Sequence, residues 1–217
     1  RRGTVNPVLN TNDMLQISIP LPSIEEQLNF VLQERNKLVH NISSFAKENN
    51  ILSIVDNTFL TSYCIRPLDY EIDLVVYSGT KYLAGHNDTL AGFVVTKTDY
   101  IIEKLRLIQK SEGAVLAPFD SWLVLRGLKT LHIRMDRQCE NAIKLAEFLS
   151  KHKNVTKVYF PGLPEHKEHE IIKKQSKAFG AMISFEVNSI ELVEKVLREV
   201  KLIMFAESLG GVDTLIT

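Results

Sequence analysis

Short runs of β-branched and aliphatic residues alternate with segments of helical periodicity along most of this chain, and that alternation limits the folds open to it. Ile51 to Val55, Leu74 to Tyr77 and Ala91 to Thr96 each form a brief apolar run bounded by polar or turn residues, the pattern of a strand. Tyr100 to Gln109 carries Ile101, Ile102, Leu105 and Ile108 at helical spacing. Phe119 to Ser150 predicts a longer helical stretch, clearest where Cys139, Ala142, Ile143, Ala146 and Leu149 share one face. Val155 to Phe160 reads as a strand broken by Pro161-Gly162. Ala181 to Val187 is a further strand, Ile190 to Val200 an amphipathic helix, and Leu202 to Phe205 the start of another strand. Such alternation means an α/β fold, with a largely parallel sheet in its first half and functional residues at the carboxyl ends of the strands.

The opening of the chain is different. Pro7, Pro20 and Pro22 prevent a long helix over the first residues. Ser23 and Glu26 then form a capping box, and Ile24, Leu28, Val31, Leu38, Ile42 and Phe45 continue as a heptad-like stripe. This predicts a single amphipathic helix from Ile24 to Lys47. Three regions follow: an atypical segment over residues 1–41, a large-domain core over 42–149, and part of a small α+β domain over 150–217.

Charge is balanced, with 26 basic and 26 acidic residues, so electrostatics offers no reason to expect nucleic acid or an anionic membrane as partner. The longest apolar runs are of strand length, well short of the roughly 20 residues that a membrane helix needs. No basic stretch followed by an apolar one opens the chain, so no signal peptide is expected. Two cysteines, Cys64 and Cys139, make no disulfide framework, which favours a reducing, cytoplasmic setting.

The chemistry gathers at two strand ends. Asp56 follows the first strand in Val55-Asp56-Asn57-Thr58-Phe59; taken alone, an acid there only caps a turn. After the next strand comes Ser78-Gly79-Thr80-Lys81-Tyr82-Leu83-Ala84-Gly85-His86-Asn87-Asp88. Two hydroxyls and a lysine leave the strand together, with glycines to let the backbone turn. Pyridoxal 5'-phosphate (PLP) chemistry calls for these groups: a lysine for the carbonyl carbon, a carboxylate to keep the pyridine nitrogen protonated, and donors for the phosphate. The run is no P-loop, because Tyr82 stands where Ser or Thr must follow the lysine. Glu165-His166-Lys167-Glu168-His169-Glu170 is not HExxH and reads as a solvated surface, so no metal is expected. Neither cysteine has a sequence neighbour that would activate it, which leaves packing.

At these residues the sequence resembles the Cys/Met-metabolism, or transsulfuration, enzymes of PLP-dependent fold type I. The resemblance runs from about Ile42 to Thr217. It rests on the two blocks above, on Phe119-Asp120-Ser121-Trp122 with Leu125-Arg126-Gly127-Leu128-Lys129-Thr130-Leu131, and on Tyr159-Phe160-Pro161-Gly162-Leu163-Pro164. Phe179-Gly180-Ala181-Met182 and Ala206-Glu207-Ser208-Leu209-Gly210-Gly211-Val212 complete it. It implies that Lys81 is the Schiff-base lysine, Asp56 the partner of the pyridine nitrogen, and Ser78 and Thr80 phosphate ligands. Ser208 and Glu207 should lie near the substrate, an amino acid. It also implies a homo-oligomer. Glu207 before Ser208 is usual in cystathionine γ-synthases and γ-lyases, whereas Ser111-Glu112-Gly113 and Leu116-Ala117-Pro118 also resemble plant-type synthases and β-lyases. The expectation is the γ-synthase/γ-lyase branch, with β-lyase or methionine γ-lyase as alternatives. A non-catalytic PLP-fold subunit is the alternative of another class.

Some of the family's pattern is missing from the 217 residues. The upstream tyrosine and arginine that reach a neighbouring subunit, the Gly-containing phosphate loop, the ring-stacking tyrosine and the later carboxylate-binding arginine have no counterpart. Val5-Asn6-Pro7 resembles the family's Asn-Pro turn and makes Asn6 a cofactor contact by implication. Leu15 to Asn41 then stands as an insertion. The 217-residue chain alone is therefore expected to bind PLP weakly and turn over little.

Overall fold

The structure, a computed structural model, describes residues 39–217. Asn6 and the part of the predicted first helix before residue 39 lie outside them. Helix α1 (Val39–Glu48) buries Ser43 and Ala46 and ends where the predicted helix was to end. Asn49 turns its side-chain amide back to the Phe45 carbonyl, and Asn50 adopts φ 54°, a left-handed position that asparagine tolerates.

Three strands follow: β1 (Ile54–Asp56), β2 (Leu74–Ser78) and β3 (Gly92–Thr96), in that spatial order. β1 and β2 are parallel, with Ile54 opposite Leu74. Asp73 sets that register. Its Oδ2 accepts from both the amide and the hydroxyl of Ser53, at 2.9 and 2.6 Å, while the Asp73 amide donates to Ser53 Oγ. The short helix α2 (Thr61–Cys64) and a tight turn over Pro67–Tyr70 fill the crossover.

Within the sheet expected to be largely parallel, β3 is antiparallel to β2, with Ser78 opposite Gly92. A parallel neighbour requires a crossover, usually a helix. Residues 79–91 instead turn the chain back on itself, so the sheet among the described residues is mixed.

α3 (Asp99–Glu112) stops at Gly113, φ 69°. The single helical stretch predicted over Phe119–Ser150 is two helices, α4 (Pro118–Leu128) and α5 (Leu131–Ser150). The Gly127 carbonyl, which would have continued the helix, instead accepts from the Thr130 amide, the Thr130 hydroxyl and Arg134 Nη2. On α5 the buried stripe is Leu131, Arg134, Met135, Cys139, Ala142 and Ala146. Ile143, expected on that face, lies at its exposed margin.

β4 (Val155–Tyr159) and β5 (Ser184–Val187) pair antiparallel across α6 (His169–Gln175). α7 (Ile190–Glu199) is capped by Ser189, whose hydroxyl accepts from the Leu192 amide. β6 (Met204–Phe205) and β7 (Leu215–Ile216) form a parallel pair. One apolar cluster joins Cys64, Tyr82, Leu83, Leu131, Met135 and Cys139 beneath the β2–β3 turn; a second packs Phe160 on Ala142 and Ala146. Among the described residues no helix is long and apolar enough to cross a membrane.

Candidate active site

Because β1 and β2 are parallel neighbours, their carboxyl ends share one edge of the sheet, and Asp56 and Ser78 are the two last residues there. The strands stay joined past their ends. Asn57 donates its amide to the Val76 carbonyl at 3.0 Å, and the Ser78 amide donates to Thr58 Oγ1 at 2.8 Å. Buried Asn57 gives its side-chain amide to the Ile65 carbonyl and the Tyr77 hydroxyl. Asp56 is exposed, and its Oδ1 accepts the Thr58 amide at 2.9 Å. It therefore does the ordinary work of an Asx turn. Its Oδ2 accepts no hydrogen bond among the described residues.

Past Ser78 the chain makes one wide turn over Gly79–Leu83. Ala84 donates to the Gly79 carbonyl at 3.0 Å, and Lys81 leaves helical geometry in mid-turn (φ −87°, ψ −125°). Such five-residue turns recur at functional positions. Glycine is required at 79, since a Cβ there would lie 2.4 Å from the Phe93 ring. Tyr82 is buried beneath the turn, and burial pushes its hydroxyl well above the ordinary tyrosine range. Lys81 is half-buried and donates from Nζ to Ser208 Oγ at 3.0 Å.

Ser208 belongs to a loop pressed against this turn. Its own φ is 98°, a left-handed conformation costing a non-glycine residue about 1–3 kcal/mol. Asn87 donates to Asp213 Oδ2 at 3.1 Å, and Gln138 Nε2 donates to the Gly211 carbonyl at 2.8 Å. The structure thus brings together Asp56, Ser78, Lys81 and Ser208 at one end of the sheet. Glu207 is exposed next to them. Thr80 is engaged elsewhere: its hydroxyl accepts the Ala91 amide and donates to the Ala91 carbonyl, closing the turn.

One other sequence expectation changes. The histidines are not a solvated surface: His169 stacks on Phe179 at 4.8 Å and meets the Pro161 carbonyl through Nδ1, while His166 faces Glu168 at 3.2 Å. No metal-binding group of His, Cys, Asp or Glu occurs among the described residues. The two cysteines are both buried and meet in the core under Tyr82. Their mutual hydrogen bond raises the Cys64 thiol and lowers that of Cys139. Sequence reading also passed over Arg134 and Gln138. An arginine at a stripe position of α5, between Leu131 and Met135, was the available signal.

The family model described as Cys/Met metabolism PLP-dependent enzyme matches residues 34–217, and the chain belongs to that family. Cystathionine beta-lyase of Coxiella burnetii is 51% identical over 81% of this chain, and cystathionine gamma-lyase of Bacillus subtilis 47% over the same share. The crystal structure of cystathionine gamma-lyase from Lactobacillus plantarum superposes with a TM-score of 0.79 at 42% identity, over 82% of this chain and 46% of that one. The fold is therefore that of the PLP-dependent transsulfuration enzymes. The chain spans about half the length of the curated relatives it matches, 46% of the Coxiella burnetii protein.

Proposed function

We propose that this chain supplies the PLP-holding part of a carbon–sulfur lyase or synthase that acts on cystathionine or an activated homoserine. The observation carrying this reading is the Lys81–Ser208 contact of 3.0 Å at the strand end beside Asp56. The donor set fits the cofactor. There is one accessible primary amine, one carboxylate with an unengaged oxygen, and one hydroxyl, that of Ser78, that makes no hydrogen bond among the described residues. Thr80 could reach the phosphate only by releasing the Ala91 carbonyl, so Ser78 is the better phosphate ligand.

When bound, PLP supplies the electron sink for charge developing at the substrate's α-carbon. This chain's residues do the rest. Asp56 holds a proton at the pyridine nitrogen through electrostatic attraction. Lys81 Nζ takes the α-proton and returns it at a neighbouring carbon. Ser208 Oγ holds Nζ between transfers, and Glu207 lies beside the substrate. Exposed Phe119, Trp122 and Leu125 on α4 suit burial against a second copy in a homo-oligomer.

Cystathionine distinguishes the branches. With water consumed, cleavage on one side of sulfur releases pyruvate, ammonia and homocysteine; cleavage on the other releases 2-oxobutyrate, ammonia and cysteine. Glu207 favours the second, while the identity to the Coxiella burnetii β-lyase favours the first. The test incubates the 217-residue chain with PLP, reduces it with borohydride and locates the pyridoxyl mark by peptide mass. The mark is expected on Lys81 and absent from Lys81→Arg, whose guanidinium does not condense. A mark on another lysine, or none, overturns the assignment.

A further inference from the structure

Arg134 is 8% exposed, a guanidinium inside the protein with no carboxylate partner among the described residues. Burial lowers its pKa, and no neighbouring charge offsets this. Burying an unpaired charge is costly unless its donors are satisfied. Four of its five N–H groups are. Nη1 donates to the Tyr82 carbonyl at 2.8 Å, and Nη2 to the Gly127 carbonyl at 2.9 Å and the Leu83 carbonyl at 3.4 Å. Nε donates to Thr130 Oγ1 at 3.0 Å. Gly85 makes room for the fork, since a Cβ there would lie 2.0 Å from Nη1. An apolar side chain would fill the space at less cost, so space-filling does not account for an arginine. What the arginine adds is a grip on the two carbonyls that directly follow Lys81.

One helical turn further along α5, Gln138 has a matching position. Its Nε2 donates to the Gly211 carbonyl at 2.8 Å, while its Oε1 is buried without a hydrogen-bond partner among the described residues. A buried acceptor left unpaired is destabilising, so the amide is costly except for the bond it makes to the Ser208 loop. Residues four apart on a helix face the same way. Arg134 therefore holds the turn carrying Lys81 and Gln138 holds the loop carrying Ser208, from one rigid element.

We propose that Arg134 and Gln138 are a pair of positioning residues that together set the Lys81–Ser208 contact. This rests on the reading of Lys81 as the cofactor amine for its catalytic meaning, though not for its geometry. The test uses the full chain and the variants Gln138→Met, which keeps length and removes the donor, and Arg134→Lys, which keeps charge and loses the fork. Without cofactor, Gln138→Met should melt like wild type while amide exchange over residues 208–213 rises about tenfold, as loss of one hydrogen bond implies. Arg134→Lys should raise exchange over residues 79–85 instead.

With PLP, Gln138→Met should also lower the borohydride-fixed yield at Lys81 and shift the pH midpoint of the bound-cofactor absorbance. In a Ser208→Ala background the same change should add nothing further. Wild-type exchange over 208–213 in Gln138→Met overturns the proposal. So does full additivity with Ser208→Ala. If exchange changes as expected but wild type is never fixed at Lys81, the positioning stands and the cofactor reading falls. Should Gln138→Met melt well below wild type, the residue is structural and the proposal is overturned.

Discussion

Gly210 lies so close to Tyr82 that a Cβ built on it would stand 2.7 Å from the Tyr82 amide nitrogen and 3.0 Å from the Lys81 carbonyl carbon. Its φ of 80° adds a second reason for glycine. Gly113 shares the left-handed backbone, φ 69°, but a methyl group there would meet nothing within 4 Å. Gly113→Ala should therefore cost about 1–2 kcal/mol for the backbone alone. Gly210→Ala should cost more, about 2–4 kcal/mol, because strain and close contact combine. It should also lower pyridoxyl labelling of Lys81, since the loop must move away from the turn. Denaturant midpoints and labelling yields check both; equal costs for the two substitutions would mean the close approach at 210 is absent in solution.

Asp56 has a local duty and a proposed chemical one, and asparagine separates them. Asn keeps the oxygen that accepts the Thr58 amide but not the negative charge. Asp56→Asn should leave stability within about 0.5 kcal/mol, as for an exposed position. Exchange of an amino acid's α-proton with solvent in the presence of PLP should slow about 10²-fold or more if the carboxylate holds the ring proton. A variant that melts early yet keeps its exchange rate would assign Asp56 to the turn alone.

Both thiols lie in the core under Tyr82. Neither should react with an aromatic disulfide reagent until the surrounding structure opens, so two thiols should titrate in denaturant and close to none in the folded chain. Prompt reaction of one thiol in native buffer would contradict the buried pairing.

Asp136 links α5 to Tyr63 and Lys177. The Tyr63 hydroxyl, at 2.8 and 2.9 Å from the two carboxylate oxygens, holds the acid below its ordinary range, and Lys177 at 3.5 Å assists. With the folded value depressed, the unfolded chain protonates first. The linkage is thus present above the ordinary carboxylate value near pH 4 and is lost as pH falls through the folded one. Asp136→Asn should flatten the acid limb of a melting-temperature profile taken from pH 7 down to pH 3. Superimposable acid limbs would remove Asp136 from that linkage.

What the sequence made legible was local. Asp56 and Lys81 could be read because Asp56 closes one strand and Lys81 comes three residues after the next, and strand periodicity places the end of a strand without tertiary information. The antiparallel β3 was not legible: β-branched runs look alike in either direction, and only the turn over residues 79–91 decides. Ser208 was reached through resemblance alone, since nothing within its own segment points to a lysine 127 positions earlier. Arg134 and His169 were missed or misread for one reason. Charged and titratable residues are assigned to solvent by default, and here a helix stripe buries the first while Phe179 covers the second.

The turn between β2 and β3 also bears on the order in which the site is assembled. The strands and the turn that carry the lysine pair with one another inside residues 53–96, ahead of the grip that Arg134 later adds to the turn, and loop closure is cheaper over short separations. The hydroxyl must be brought from far along the chain and needs α5 in place before it has anything to dock on. During synthesis the amine is accordingly shaped well before its serine arrives. For that interval the nascent chain carries an unguarded lysine, open to whatever aldehyde reaches it first.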